Sequence, residues 1–475
     1  MIEKKDMDWP ASLDEYQKLV IRMNTPRSGI LLFRLDGTSL VVYLLFEFFL
    51  FRVVIDNAVC ATATLVKVDS ARKDGILLEA VQVLTDLDLS IKKAYISSDG
   101  RWFMDVFHVT DRYGEKLADE RVISDIERSL GASDEAAVVS VGMDPLTTLE
   151  LTGADRPGLL SEVFAVLSDL HCIVAEAKLW THNGRIAALI FVKEEDSGLR
   201  IEDSEKIRRI EARLRNVVRG ATTAVSSSAI TASSGGTYVD RRLHQMMFAD
   251  RDYERGNSGV SETSVSVQNW TERGYSIVNV QCRDRPKLLF DVICTLTDME
   301  YVVFHGTIDT TGDRAGQEFC IRHSDGSPIS SEAERQRVIQ CLQAAIDRRA
   351  SEGLRLELCA TNDRSGLLAE ATRTFRENGL SVTRAEVSTK GDMALNMFYV
   401  TDAAGHPIDR KTIDALIERV GAGRLKVYED RSNQTKHMQP NSAQEESSIA
   451  GAGLLYLGSL VRKNLYNLGL IRSCS

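Results

Sequence analysis

The sequence predicts an α+β chain of four related units, and three observations carry that prediction. First, Asp155-Arg156-Pro157-Gly158-Leu159-Leu160 returns as Asp284-Arg285-Pro286-Lys287-Leu288-Leu289 and as Asp363-Arg364-Ser365-Gly366-Leu367-Leu368. Second, each copy follows a short apolar strand-like run (Thr148 to Leu151, Ser276 to Val280, Leu354 to Leu358) and opens a run with helical spacing. After Gly158, for example, Leu160, Val163, Phe164, Leu167 and Leu170 fall on one face of a helix. Third, a closing signal recurs: Val109-Thr110-Asp111 with Gly114 matches Val400-Thr401-Asp402 with Gly405. A repeated strand-to-helix junction marks a module boundary.

A fourth, weaker copy lies upstream. Aligning Gly75 with Gly158 pairs Glu79 with Glu162, Leu84 with Leu167, Asp86 with Asp169 and Ala94 with Ala177. Arg72 stands where the other copies begin with aspartate.

Taken in order, residues 1–52 read as a lead-in with an atypical apolar insert at about 28–52. The insert is densest from Leu40 to Phe51, carries Glu47, and is shorter than the roughly 20 residues of a spanning helix. The first module, 53–131, reads as a strand (Ala61 to Val68), a helix (Gly75 to Leu87), two strands (Ser90 to Ser97, Trp102 to Val109) and a helix from about Leu117. That order opens the split β-α-β arrangement of ferredoxin-like sheets. The second module, 146–225, repeats it, with an Asn183-Gly184 hairpin turn between its central strands. Residues 226–273 are a Ser- and Gly-rich linker holding a short helix, Arg241 to Phe248. The linker lets the two pairs of modules change relative position. The third module covers 274–349 and the fourth 354–430, ending on the strand Arg424 to Tyr428. Residues 431–475 are a polar stretch followed by an amphipathic tail from 453, in which Leu454, Leu457, Val461, Leu465 and Leu468 form a stripe. The fold class expected is therefore α+β, four ferredoxin-like βαββαβ modules paired side by side.

The 475 residues carry a formal net charge of −10, with basic and acidic residues intermixed, which argues against a nucleic-acid face. The eight cysteines include no Cys-x-x-Cys pair, so zinc and dithiol chemistry are not indicated and no metal or cofactor is expected. The N-terminus has no secretory apolar core, so the cytoplasm is the expected compartment, with nuclear or peripheral membrane pools as alternatives. The eight histidines neither cluster nor recur at equivalent repeat positions, and no Walker, Gly-x-Ser-x-Gly or His-Glu-x-x-His pattern occurs. Catalysis is not expected.

The repeated loop has two readings. Gly158 and Gly366 let the backbone approach a ligand, and the helix start that follows favours an anion such as a carboxylate. Asp155 or Asp363 would then accept from an ammonium group. Alternatively, the aspartate caps its helix and Pro157 presets the first turn.

These loops on such units resemble ACT domains, the small-molecule sensing modules of amino acid metabolism. With the segment Asp240-Arg241-Arg242-Leu243-His244-Gln245-Met246-Met247-Phe248-Ala249 and the tail from Leu454 to Ser473, the chain resembles the plant ACT domain repeat proteins. The resemblance implies a non-enzymatic sensor, similar to the regulatory end of bacterial uridylyltransferases, that couples amino acid status to a protein partner. Glutamine and nitrogen status are among the candidate signals. It also implies a ligand site where two modules pack side by side. One wall is Asp155, Arg156, Gly158 and Leu159, or Asp363, Gly366 and Leu367; the other is Asn378, Gly379, Leu380 and Ser381, or Cys172 and Ile173. Lys287 replaces the loop glycine of the third module and Arg72 the aspartate of the first, so these two modules are expected as structural partners. The expected partners are a small-molecule amino acid, an unidentified protein meeting 453–475, and a second copy of the chain. The rival reading is an interaction scaffold whose modules serve assembly and hold no small ligand.

Overall fold

The computed structural model describes residues 51–71, 75–98, 102–131, 146–219, 230–233, 238–254, 262–350, 353–360, 366–390, 393–421 and 423–428. Expectations about the lead-in, most of the apolar insert, the C-terminal tail, Arg72 and Asp363 fall outside these residues. Those described lie in one compact unit, Phe48–Asp430.

The first module comprises β1 (Phe51–Asp56), β2 (Thr64–Ala71), α1 (Ile76–Asp86), β3 (Ser90–Ser98), β4 (Trp102–Thr110) and α2 (Glu120–Gly131). The second comprises β5 (Thr147–Ala154), α3 (Leu159–Asp169), β6 (Cys172–His182), β7 (Arg185–Glu194), α4 (Ser204–Arg219) and β8 (Ile230–Ser233). A connecting helix, α5 (Val239–Ala249), precedes a 3-10 turn, Asp252–Glu254. The third module comprises β9 (Ser264–Trp270), β10 (Tyr275–Arg283), α6 (Leu288–Asp298), β11 (Tyr301–Thr311), β12 (Arg314–His323) and α7 (Glu332–Asp347). The fourth comprises β13 (Leu354–Ala360), α8 (Leu367–Glu377), β14 (Leu380–Lys390), β15 (Met393–Asp402), α9 (Arg410–Val420) and β16 (Leu425–Tyr428).

The second and fourth modules have the βαββαβ order. In the first and third the edge strand precedes the others, because β1 and β9 hairpin directly onto β2 and β10. Gly274, at φ 73, closes the turn into β10. After α7 the chain passes straight to β13 in the other sheet, which leaves no closing strand behind that helix. The stretch 264–270, read from sequence as linker, is thus part of a sheet.

Two eight-stranded antiparallel sheets result, ordered β1-β2-β4-β3-β11-β12-β10-β9 and β16-β13-β15-β14-β6-β7-β5-β8. The first module pairs with the third and the second with the fourth. The seams are equivalent: Ile308 lies opposite Ala94 on β11 and β3, and Val387 opposite Ala177 on β14 and β6. Gly306 permits the first seam, since a Cβ there would sit 3.0 Å from both Ile96 and Phe319. Each pair shares one apolar core, with α1 against α6 over the first sheet and α3 against α8 over the second. The strand after the first helix of every module (β3, β6, β11, β14) shifts register near its start, at Ile91/Lys93, Val174/Glu176, Val303/His305 and Val382/Arg384. Bulges of this kind re-aim side chains at strand ends.

The linker helix is packed against the modules rather than standing clear of them. Leu243, Met246 and Met247 of α5 are buried against Trp180, Ala187 and Leu189, on the face of β6 and β7 turned away from α3 and α4. Full burial of such side chains stabilises by about 1.5–3 kcal/mol each. The opposite side of α5 meets α6 of the other sheet.

Candidate functional site

Each strand-to-helix junction begins its helix on a residue in the left-handed region: Gly75 (φ 90), Gly158 (φ 81), Lys287 (φ 67) and Gly366 (φ 88). None of these positions has a side-chain cap hydrogen bond. The Asp155 carboxyl meets the backbone of Arg156, and Asp284 pairs with Lys92. Glycine suits the left-handed region because it has no Cβ to clash. Lys287 adopts the same geometry at some cost, which is why the sequence alone set the third loop apart.

The loop arginines share one task. Arg156 donates to Glu162 from both guanidinium nitrogens and to the carbonyl of Val217 in α4. Arg285 pairs with Asp291 at 2.7 Å and donates to the carbonyl of Ile346 in α7. Each ties its loop to the ends of two helices, so its charge is already engaged within the protein.

Each sheet has a cleft where a loop of one module faces the strand that follows the first helix of its neighbour. In the second sheet Asp155, Arg156, Gly158 and Leu159 face Leu380, Ser381 and Val382 across a cavity of about 20 Å³. Arg376 lines it too and crowds Gly158, leaving no room for a Cβ there. Burial raises the Asp155 carboxyl to about 6. Asn378 and Gly379 do not line this cleft; Asn378 ends α8 and donates to the Thr374 carbonyl. Cys172 is buried, with its thiol toward the Leu170 carbonyl. Gly366 and Leu367 begin α8, with Gly366 close to Ser168 of α3.

The first sheet holds the larger cavity, about 130 Å³, at the loop that the sequence ranked as doubtful. The third loop, Asp284 to Leu289, meets Ser90, Ile91 and Lys92 of β3 there. Lys92, the extra residue of the β3 bulge, reaches Asp284 at 3.4 Å. Gln317 lines the cavity while 4% exposed, and its Oε1 has no hydrogen-bond partner among the described residues. The signal was present in the sequence, since Asp284-Arg285-Pro286 matches Asp155-Arg156-Pro157; Lys287 obscured it.

Lys287 extends from this cavity into a buried ionic cluster around α5. Asp240 takes Lys178 at 2.5 Å, Lys287 at 3.0 Å and Arg349 at 3.0 Å. Burial alone would raise its pKa, but these three cations hold the carboxyl well below its usual range. Lys178 also faces Glu386 of the fourth module at 3.7 Å, and Arg349 lies over the Trp180 ring at 4.5 Å. Asp291, fully buried, is shared by Arg285, Arg349 and His244. Arg348 donates to His244 Nδ1 at 2.9 Å, which fixes the neutral tautomer whose Nε2–H donates to Asp291. Arg348 and His182 in turn bind Asp252. The cluster links the second, third and fourth modules through one helix. Its members lie far apart in the chain, so no local motif announces it.

Among the described residues no helix is long and apolar enough to cross a membrane, and no group of His, Cys, Asp or Glu is arranged to hold a metal ion.

Four α+β modules in side-by-side pairs, each with a left-handed residue at the strand-to-helix junction, have the organisation of an ACT domain repeat protein. Residues 59–137 match the ACR family N-terminal ACT domain, 264–359 the ACR9-like, ACT-like domain, and 355–418 the ACT domain. The chain is 57% identical to ACT domain-containing protein ACR8 of Arabidopsis thaliana, over 98% of this chain and 99% of that protein. It is 50% identical to ACR4 (99% of each chain) and 46% identical to ACR3 (96% and 99%) of the same plant. The chain belongs to the ACR family of ACT domain-containing proteins. Membership points to a regulatory role of the amino acid-binding type.

Proposed function

We propose that the protein is a non-catalytic sensor that binds a free amino acid at the cavity between the third loop and β3. The observation that carries this reading is the cavity itself. It combines a helix start with unpaired amides, the Lys92–Asp284 pair at its rim and the polar side chain of Gln317 in its lining. The ligand carboxylate takes the amides that begin α6, and its ammonium group takes Asp284. At about 130 Å³ the cavity is roughly ten times the ~10–15 Å³ that one water needs, which is room for a small amino acid. Affinities of about micromolar to millimolar follow from a ligand of that size.

Signalling requires a ligand to favour one arrangement of modules, typically by about 1–3 kcal/mol. Arg285 and Lys287 both line the cavity and both bind the cluster around α5. That supports α5 as the element through which occupancy of the first sheet is felt by the second. Glutamine, as a measure of nitrogen status, is one candidate ligand, and the cytoplasm is the proposed compartment.

Isothermal titration of the full chain with each of the twenty amino acids tests the reading. Ser90→Trp fills the cavity and is expected to abolish binding, whereas Ser381→Trp fills the smaller cleft of the second sheet and is expected to leave it. Absence of heat for all twenty would favour the scaffold reading, in which the pairs serve assembly alone.

A further inference from the structure

The strand after the first helix of each module leaves one residue out of its ladder: Lys92 in β3, Ala175 in β6, Phe304 in β11 and Thr383 in β14. A residue in that place is unpaired along the backbone, and its side chain is re-aimed. Of the four, Lys92 alone carries a charge. It also stands at the larger cavity, whose lining it shares with Asp284 of the third module. Thr383, its counterpart in the second sheet, donates its hydroxyl to the Tyr399 carbonyl, and no lysine lines the smaller cleft.

Four charged side chains line the larger cavity: Lys92, Asp284, Arg285 and Lys287. Two of them are answered elsewhere, Arg285 by Asp291 and Lys287 by Asp240. Lys92 and Asp284 answer each other across the seam between the first and third modules, at 3.4 Å. Their side chains are 42% and 20% exposed, so both are within reach of a ligand, and Asp284 is the one ion-pair partner of Lys92 among the described residues. The Lys92 ammonium thus holds the place that a ligand's ammonium group would take. A lysine stem is flexible enough to give that place up.

Resting on the sensor reading above, we infer that Lys92 selects the ligand, and that the cavity prefers an amino acid with a second carboxylate, as aspartate and glutamate have. With the ligand's backbone carboxylate at the start of α6 and its ammonium group on Asp284, Lys92 loses its acidic partner and faces a like charge. A side-chain carboxylate takes up the displaced Lys92, and every charge at the cavity is again answered. An amide of the same shape leaves Lys92 to water, and an aliphatic side chain does the same. Lys92 therefore competes with every amino acid for Asp284 and compensates only the acidic ones. The smaller cleft has no such lysine, so this preference belongs to the first sheet.

The test is calorimetric titration of the full chain with aspartate, glutamate, asparagine and glutamine, on the natural protein, on Lys92→Met and on Lys92→Arg. Methionine keeps the length of the stem and removes the charge; arginine keeps the charge. On the natural protein each acid should bind more tightly than its amide by about fivefold, the upper end for a half-exposed ion pair. In Lys92→Met the acids should weaken by about the same factor while the amides, freed of a competitor, hold or gain, so that the ranking closes or inverts. Lys92→Arg should retain the preference for acids. Amides binding the natural protein as tightly as acids, or an acid-to-amide ratio unchanged in Lys92→Met, would overturn the inference while leaving the sensor reading in place. The first of these comparisons needs no variant, so it stands whether or not a substitution folds. If these four and the other sixteen amino acids all fail to bind the natural protein, both are overturned.

Discussion

Replacing Asp240 with asparagine keeps the shape of the side chain and removes the charge at the centre of the ionic cluster. Asp240 is 6% exposed, and its three cationic partners lie at 2.5–3.0 Å on the second and third modules. Removing one partner of a buried pair costs about 3–5 kcal/mol, because the other charge is left without compensation. Here the lower end applies. Arg349 keeps Asp291 at 3.2 Å and the face of Trp180, and the Lys178 and Lys287 side chains are 17% and 24% exposed. Asp240→Asn should therefore cost about 3 kcal/mol at pH 7 in urea unfolding. The sign with pH is fixed by the depressed carboxyl. Stability from a carboxylate with a lowered folded pKa is present above its unfolded value near 4 and is lost as pH falls through the folded value. The difference between natural protein and variant should thus be largest at neutral pH and shrink in acid. A cost below about 1 kcal/mol, or one that does not change between pH 7 and pH 3, would refute the hub.

Three further outcomes follow from the same geometry. Burial raises the Asp105 carboxyl to about 8, so the folded state holds a proton that the unfolded state releases near pH 4. Stability should decline between those values by at most about 1.4 kcal/mol per pH unit. Asp105→Asn should flatten the decline in urea melts from pH 5 to 8. Gly158→Ala must adopt φ 81 and displace Arg376, while Gly75→Ala at φ 90 meets nothing within 4 Å. Both should pay about 1–2 kcal/mol for the left-handed backbone, and calorimetry should find Gly158→Ala the worse. Leu243→Ala on α5 empties a fully buried site between the linker helix and β6–β7, and should cost about 2–5 kcal/mol by urea titration.

Much of the fold was legible because it rests on local chemistry repeated along the chain. Asp-Arg-Pro before a glycine fixes a junction, and the run Leu160, Val163, Phe164, Leu167 becomes the buried face of α3. The Asn183-Gly184 pair turns with both residues at positive φ, as a two-residue hairpin requires. Which modules pair was not legible. The seams join Ala94 to Ile308 and Ala177 to Val387, and nothing local distinguishes these strand edges from others. The edge strands β1 and β9 escaped for a related reason, since Ser264–Trp270 alternates exposed polar and buried apolar residues in a stretch that begins as linker. At the candidate site, Asp155, Gly158, Leu159 and Leu380 line one cleft, the pairing the resemblance implied, but Arg376 crowds Gly158 there. The roomier cavity sits beside Lys287, whose unfavourable backbone geometry is offset by an ion pair 47 residues away that no sequence window contains.

Hydrogen exchange with and without saturating amino acid is the most direct test of the central claim, that a ligand held between paired modules is felt by α5. Slower exchange is expected at residues 284–290 and 89–92, which bound the cavity, and in α5, through Lys287 and Arg285. Unchanged exchange in all three segments, under conditions where titration shows the amino acid bound, would contradict it.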